Sequence, residues 1–177
     1  MPTLQGAMFA HGFPPVAVRT SRVLVLGTMP GLTSLRERQY YGHAENSFWA
    51  IAAELHGFDP TLPYGDRMAA LLDAGVALWD VLKSCNRKSS LDSDIDMSTL
   101  VANDFPGFFS THRQIRRVYF NGAQAEILYR QHVLPRLSNP DQLEYLRLPS
   151  TSPANAALSF DAKLKAWRAM IDGVIPA

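Results

Sequence analysis

Gly27-Thr28-Met29-Pro30-Gly31 follows the apolar run Val23-Leu24-Val25-Leu26 and precedes Tyr40-Tyr41-Gly42-His43-Ala44-Glu45-Asn46-Ser47-Phe48-Trp49. The order places a tight turn at the end of a buried strand. Glycines at both ends of the turn admit backbone angles closed to other residues. They also let a ligand approach main-chain N–H groups, which can form an anion-binding concavity. A second small-residue segment, Leu148-Pro149-Ser150-Thr151-Ser152-Pro153-Ala154-Asn155, again directly follows an apolar run. Either loop alone would be a simple chain reversal. Two of them at two strand ends predict one shared cleft, where open α/β sheets place their sites.

The elements that must carry these loops follow from hydrophobic period. Strands are predicted over 22–26, 76–82, 117–121 and 145–148. Helices are predicted over 47–56 (stopped by Gly57), 66–74 (ended by Gly75), 122–137 and 160–172. Short apolar runs alternating with helical patterns imply right-handed crossovers. The expected fold is a three-layer α/β/α sandwich around a mostly parallel four-stranded sheet, formed as a single domain over 1–177. Residues 1–15, with Pro2, Pro14 and Pro15, read as an extended arm. Residues 84–96 read as a long irregular loop at the same sheet edge, and long loops in compact domains are functional or mobile.

Composition narrows the chemistry. The chain has 177 residues, 47% of them hydrophobic and 19% charged, enough for a full core. Its one cysteine, Cys85, excludes an internal disulfide and any four-cysteine cluster within the chain. The five histidines, His11, His43, His56, His112 and His132, have no helical metal-ligand spacing and no carboxylate cluster, so no metal site is expected. Apolar stretches are strand-sized and the start lacks a secretory pattern, which predicts no membrane span and a cytoplasmic protein. A net charge of +1 is not the broad basic field of a nucleic-acid protein. Any DNA contact must then come from a local patch: Arg36 and Arg38, Arg87 and Lys88, Arg113 with Arg116 and Arg117, or Arg147. Ordinary surface charge accounts for these residues equally well.

The strand, the Gly-x-x-Pro-Gly turn, Tyr41-Gly42-His43-Ala44-Glu45-Asn46-Ser47-Phe48-Trp49 and the Leu148-Pro149-Ser150-Thr151-Ser152 loop together resemble the uracil-DNA glycosylase superfamily. The hypoxanthine-DNA (deoxyinosine) glycosylases are the closest group. Leu78-Trp79-Asp80-Val81-Leu82-Lys83-Ser84-Cys85 adds a third matching block, and the resemblance runs in order over 23–165. It implies a monomeric, monofunctional enzyme without cofactor or metal. Such an enzyme flips a deaminated base out of double-stranded DNA and hydrolyses its N-glycosidic bond. An extruded base needs an aromatic platform, a polar group reading its edge, a placed water and clamps on flanking phosphates.

Carried over by motif position, the resemblance puts Gly27, Thr28 and Met29 beside the substrate and Tyr41 as the stacking aromatic, with Tyr40 packing the loop. Asp80 stands where relatives read the base edge with an asparagine. A carboxylate accepts but does not donate while ionised, so it suits the N1–H of hypoxanthine. Met29 occupies the turn position where better-known members orient water with a polar side chain, and it cannot hold water. The resemblance implies that Asn46 takes this role. A helix N-cap is an equally natural reading of Asn46. Leu148 stands in place of a histidine that supports the departing base. Asn121 is a base-edge contact or a turn residue, and His43 lies near the sugar or bonds its own loop. Pro30, Gly31, Arg87, Ser150, Ser152, Pro153 and Ala154 are the expected DNA contacts.

Three alternatives remain open at this level. A uracil or mismatch glycosylase would use the same cleft. A damage-binding module without catalysis would explain Met29 and Leu148. A small-nucleotide binder would use the Gly27 to Gly31 turn as a phosphate cradle.

Overall fold

A computed structural model describes residues 6–174. At its centre are four parallel strands: β2 (Val23–Gly27), β3 (Val76–Asp80), β6 (Arg117–Asn121) and β7 (Glu144–Leu148), in the order β3-β2-β6-β7. All of β2 and β3 is buried, the pattern of strands covered on both faces. Side chains alternate across the sheet. Val23, Val25, Leu78 and Tyr119 join the core beneath helices α2 (Phe48–His56), α3 (Tyr64–Asp73), α6 (Phe160–Trp167) and α7 (Ala169–Val174). Leu24, Leu26, Trp79 and Phe120 join the opposite core, with helices α4 (Phe105–Thr111) and α5 (Ala123–His132). The three layers expected from the sequence are present, and all three strand pairings are parallel.

The chain runs from β2 to β3 on one side and later returns to β6 on the other side of β2. Strand order therefore reverses at β2, and a crevice opens at its carboxyl end, where Gly27 lies.

Two regions differ from the expectation. Residues 84–96 are mostly strand: β4 (Leu82–Arg87) pairs antiparallel with β5 (Ile95–Ala102), leaving only 88–94 as a connection. The arm contributes β1 (Met8–His11), which pairs antiparallel with β4, so a second, three-stranded sheet in the order β1-β4-β5 joins the α4–α5 layer. These strands were illegible because Ala10, Leu82, Cys85 and Ile95 are their only buried apolar residues while Met8, Phe9, Met97 and Val101 are exposed, so no regular alternation marks them. Residues 1–5 of the expected arm, Pro2 among them, lie outside the described residues.

The remaining corrections concern boundaries. The predicted 122–137 helix ends at His132 and is followed by a 3-10 turn at Leu134–Arg136, since Pro135 cannot continue a helix. The predicted 160–172 helix is two helices, α6 and α7. Helix α1 (Leu32–Glu37), one and a half turns long, is too short to show a period. The helix stops hold: Gly57 and Gly75 take φ of +73° and +85° after α2 and α3.

Candidate active site

A cleft of about 730 Å³ opens at the carboxyl ends of β2, β3 and β6. Both small-residue loops line it, as does Asn46 just before α2. Of the residues picked from the sequence, Gly27, Thr28, Met29, Pro30, Gly31, Tyr41, His43, Asn46, Asp80, Asn121, Ser150, Ser152, Pro153 and Ala154 all border this one cavity. Arg87 does not.

Asp80 closes β3 directly across from Gly27 in the parallel register. Its side chain is 4% exposed, and Oδ2 is buried without a hydrogen-bond partner. Burial, reinforced by the nearby Asp92 carboxylate and opposed by the Arg87 guanidinium, pushes its pKa up to about 7. A Cβ at position 27 would sit 2.5 Å from Asp80 Oδ1 and 3.5 Å from the Tyr41 hydroxyl. Glycine is required there because a carboxyl group occupies the space a side chain would take, and not because of the backbone angle.

Tyr41 adopts φ +54°, a left-handed conformation uncommon outside glycine, at the point where the chain turns toward α2. Its ring stacks on Phe48 with centroids 4.1 Å apart and 29° between planes, which fixes the ring plane. Its hydroxyl is buried without a partner, and burial beside Asp80 keeps it protonated. Tyr40 is a packing residue: its hydroxyl donates to the Pro14 carbonyl at 2.9 Å, and its own carbonyl accepts from Trp49 Nε1 at 2.8 Å.

Asn46 both caps a helix and borders the cleft. Its Oδ1 accepts from the Phe48 N–H at 3.0 Å, which also fixes which end of the carboxamide is oxygen. The adjoining Ser47 is tied across the cleft: its N–H and its hydroxyl both donate to the Thr151 carbonyl, at 3.0 and 3.2 Å. Thr151 is gripped in turn by Asn121, whose Nδ2 donates to Oγ1 and whose Oδ1 accepts from the Thr151 N–H, each at 2.9 Å. Thr151, 1% exposed, is thus the hub joining the end of β6, the second loop and the start of α2. It lies between the two serines singled out in the sequence, and no spacing signal marks it. Asn121 clamps this loop and has both ends of its carboxamide engaged.

The other expected contacts fall into place with modest roles. His43 Nδ1 accepts from the Glu45 N–H at 3.1 Å. Ser150 and Ser152 accept from the N–H groups two residues on, each at 3.2 Å, so they shape their own loop. Pro153 and Ala154 are exposed at the rim. Met29, 7% exposed, borders the cleft and joins the core, and Leu148 at the end of β7 is buried; neither side chain offers a hydrogen bond to a departing base.

Arg87 corrects the sequence reading. It is fully buried, and it donates from Nε to the Ser89 carbonyl at 2.6 Å and from Nη1 to the Pro30 carbonyl at 3.0 Å. A guanidinium so enclosed contacts no phosphate; it latches the 88–94 connection onto the first loop. Ser90 completes the latch by accepting from the Leu32 N–H at 2.9 Å. The latch brings Ser90, Leu91 and Asp92 to the cleft wall, three residues that sequence reasoning assigned no role. Arg113, Arg116 and Arg117 also drop out as contacts at this cleft. Arg117 begins β6, whose other end, Asn121, reaches the cleft, and Arg113 and Arg116 line a separate cavity with Ile115. Arg147 pairs with Glu126. Arg36, Arg38 and Lys88 remain beside the loops that form the cleft.

Among the described residues, no group of three or more His, Cys, Asp or Glu side chains could hold a metal ion, and no helix is long and apolar enough to cross a membrane. The cleft offers an aromatic platform, a buried carboxyl with an open oxygen, a carboxamide and small loop residues at its rim. That set suits recognition of a flat heterocycle and placement of a water beside it.

The comparisons agree with this chemistry. The family model for the uracil DNA glycosylase superfamily matches residues 14–171. Two archaeal proteins named hypoxanthine DNA glycosylase, from Methanosarcina barkeri and Methanosarcina acetivorans, are each 34% identical over 119 residues, covering 67% of this chain and 74% of theirs. A solution NMR structure of a Methanosarcina acetivorans protein described as a candidate uracil DNA glycosylase superposes with a TM-score of 0.77. It is 31% identical and covers 94% of this chain and 99% of its own.

Proposed function

The chain belongs to the uracil DNA glycosylase superfamily and is a DNA glycosylase, and from that premise we propose that it removes deaminated bases, hypoxanthine first, from DNA by flipping them into the cleft. The observation that carries this reading is the Asp80 carboxyl, buried opposite Gly27 with Oδ2 unpartnered. Deamination converts the bare N1 of adenine into the N1–H of hypoxanthine. A buried acceptor gains a hydrogen bond from the second and faces a lone pair on the first. The names of two relatives point to the same base.

In this mechanism the flipped base stacks on Tyr41, whose ring Phe48 holds in place, and presents N1–H to Asp80. Asn46 holds a water against C1′ of the deoxyribose. As the bond from C1′ to N9 breaks, its electron pair leaves with the base. The sugar becomes oxocarbenium-like, and the water adds to it. A carboxamide is a weak base, but an electrophilic sugar needs a positioned water more than a strong nucleophile. The flanking phosphates are assigned to backbone groups of the two loops that border the cleft.

Side-by-side single-turnover assays on duplexes carrying one deoxyinosine or one deoxyuridine test the substrate. Faster release of hypoxanthine supports the reading. Release of uracil alone would assign the cleft to the uracil and mismatch enzymes, a choice that Asp80 serves only by accepting from the N3–H of uracil.

A further inference from the structure

We propose that Asp92 is a second catalytic residue, the carboxylate that takes the proton lost by the attacking water. This rests on the glycosylase reading and supplies what that reading lacks. Asn46 can orient a water but cannot accept a proton at neutral pH, because a carboxamide is too weak a base.

Asp92 lies on a one-turn 3-10 segment, Asp92–Asp94, inside the 88–94 connection. That connection is far from the motifs in sequence but is fastened to the first loop at two points, by Arg87 to the Pro30 carbonyl and by Ser90 to the Leu32 N–H. Within the connection, the Ser89 hydroxyl donates to Asp94 Oδ2 at 2.5 Å and accepts from the Leu91 N–H at 3.0 Å. The connection so fastened places Asp92 on the cleft wall, which Thr28 also lines. Thr28 is the neighbour of Met29, the turn position that lacks a polar side chain. A carboxylate therefore reaches the turn from a different part of the chain.

The charges around the cleft separate the two acids. Asp80 ends β3, Arg87 ends β4, and Cys85 on β4 is a buried neutral thiol whose titration both Arg87 and Asp92 influence. Lys88 and Asp94 flank Asp92 on its own loop, and the Tyr40 and Tyr41 phenols face Asp80. One buried cation cannot fully compensate two carboxylates held in low dielectric. Asp80 is almost fully enclosed and has an oxygen with no donor, so it holds its proton in the empty cleft and gives it up when the N1–H of the flipped base supplies that donor. Burial raises the Asp92 pKa as well, with Thr28 and the Arg87 guanidinium acting against it, but Asp92 keeps more exposure than Asp80, so it is Asp92 that carries the negative charge in the empty cleft.

The step balances without a further reactant. The water oxygen bonds to C1′, the bond from C1′ to N9 breaks with its pair on the base, and the water's proton passes to Asp92. The released base anion takes its proton from solvent.

Asp92→Asn keeps the shape of the side chain and removes only the charge. Single-turnover release of hypoxanthine should fall at least a hundredfold, the ordinary share of a general base, while binding to the same duplex is retained. The wild-type rate should rise with pH through an acid limb that Asp92→Asn lacks, and Asp92→Glu should restore part of both rate and limb. Release by Asp92→Asn within a few-fold of wild type, or persistence of the acid limb in that variant, overturns the proposal and assigns the limb to Asp80. Failure of the wild-type protein to release any base would instead overturn the substrate reading on which it rests.

Discussion

Gly27 and Asp80 face each other across the β2–β3 pair, and a methyl group on Gly27 would lie 2.5 Å from Asp80 Oδ1. The glycine that ends the first strand thus leaves space for the acid that ends the second. The consequence is directional: any side chain at 27 displaces the Asp80 carboxyl.

Gly27→Ala is therefore expected to cost about 1–3 kcal/mol of stability, the usual penalty for overfilling a packed site. Asp80→Ala in the same chain should recover most of it. Thermal or denaturant unfolding of the two single variants and the double variant gives the coupling. Additive effects would show that the two groups do not contend for space.

The pKa of Asp80 fixes a pH dependence of stability. Its folded value, about 7, lies above the ordinary carboxyl value of 3.8, so the folded protein binds this proton more tightly than the unfolded chain. The contribution is fully favourable below about pH 4 and is lost as pH rises through 7, amounting to roughly 4 kcal/mol if undamped. Asp80→Asn should be more stable than wild type, by a margin that grows from pH 5 to pH 8. A margin that is constant with pH would mean that Asp80 titrates normally.

Asn121→Ala removes both bonds to Thr151, leaving a buried hydroxyl and N–H unpaired. A loss of about 1–3 kcal/mol is expected. Because Thr151 anchors Ser47, and Ser47 adjoins Asn46, base release should fall more than DNA binding does. Equal losses in both would show that Asn121 touches the base or the DNA itself.

Arg87→Lys should destabilise the fold by about 2–3 kcal/mol, since an ammonium cannot span the Ser89 and Pro30 carbonyls as the guanidinium does. The salt dependence of DNA binding should keep its slope, because no phosphate contact is lost. A slope reduced by about one would contradict the buried latch.

The sequence disclosed the parts of this molecule that have strong local signals. The continuous apolar run of β2 and the glycine stops of α2 and α3 gave the layers, and two loops at strand ends gave the cleft. The lining of the cleft was legible where residue type and place coincide, as for Tyr41, Asn46 and Asp80, all on its wall. It was not legible where function depends on long-range pairing. Thr151 matters through bonds to Asn121 and Ser47, 30 and 104 residues away. Arg87 resembles a surface cation until β4 forms and buries it. Asp92 sits in a polar stretch that looks like a loop because the small sheet has few apolar anchors. For Asn46, the oxygen caps α2 and the residue borders the cleft, so the cap does not conflict with the water-placing role proposed for it.

The most direct test of the account is single-turnover release of hypoxanthine from a deoxyinosine duplex by wild type, Asn46→Ala and Asn46→Ser. Serine preserves the cap on the Phe48 N–H, whereas alanine forfeits about 1 kcal/mol of it. The account predicts that both variants bind the duplex and release base at least a hundredfold more slowly than wild type, because both have lost the carboxamide that places water. Asn46→Ser acting at the wild-type rate would show that Asn46 only caps a helix, and the water would have to be placed by another residue.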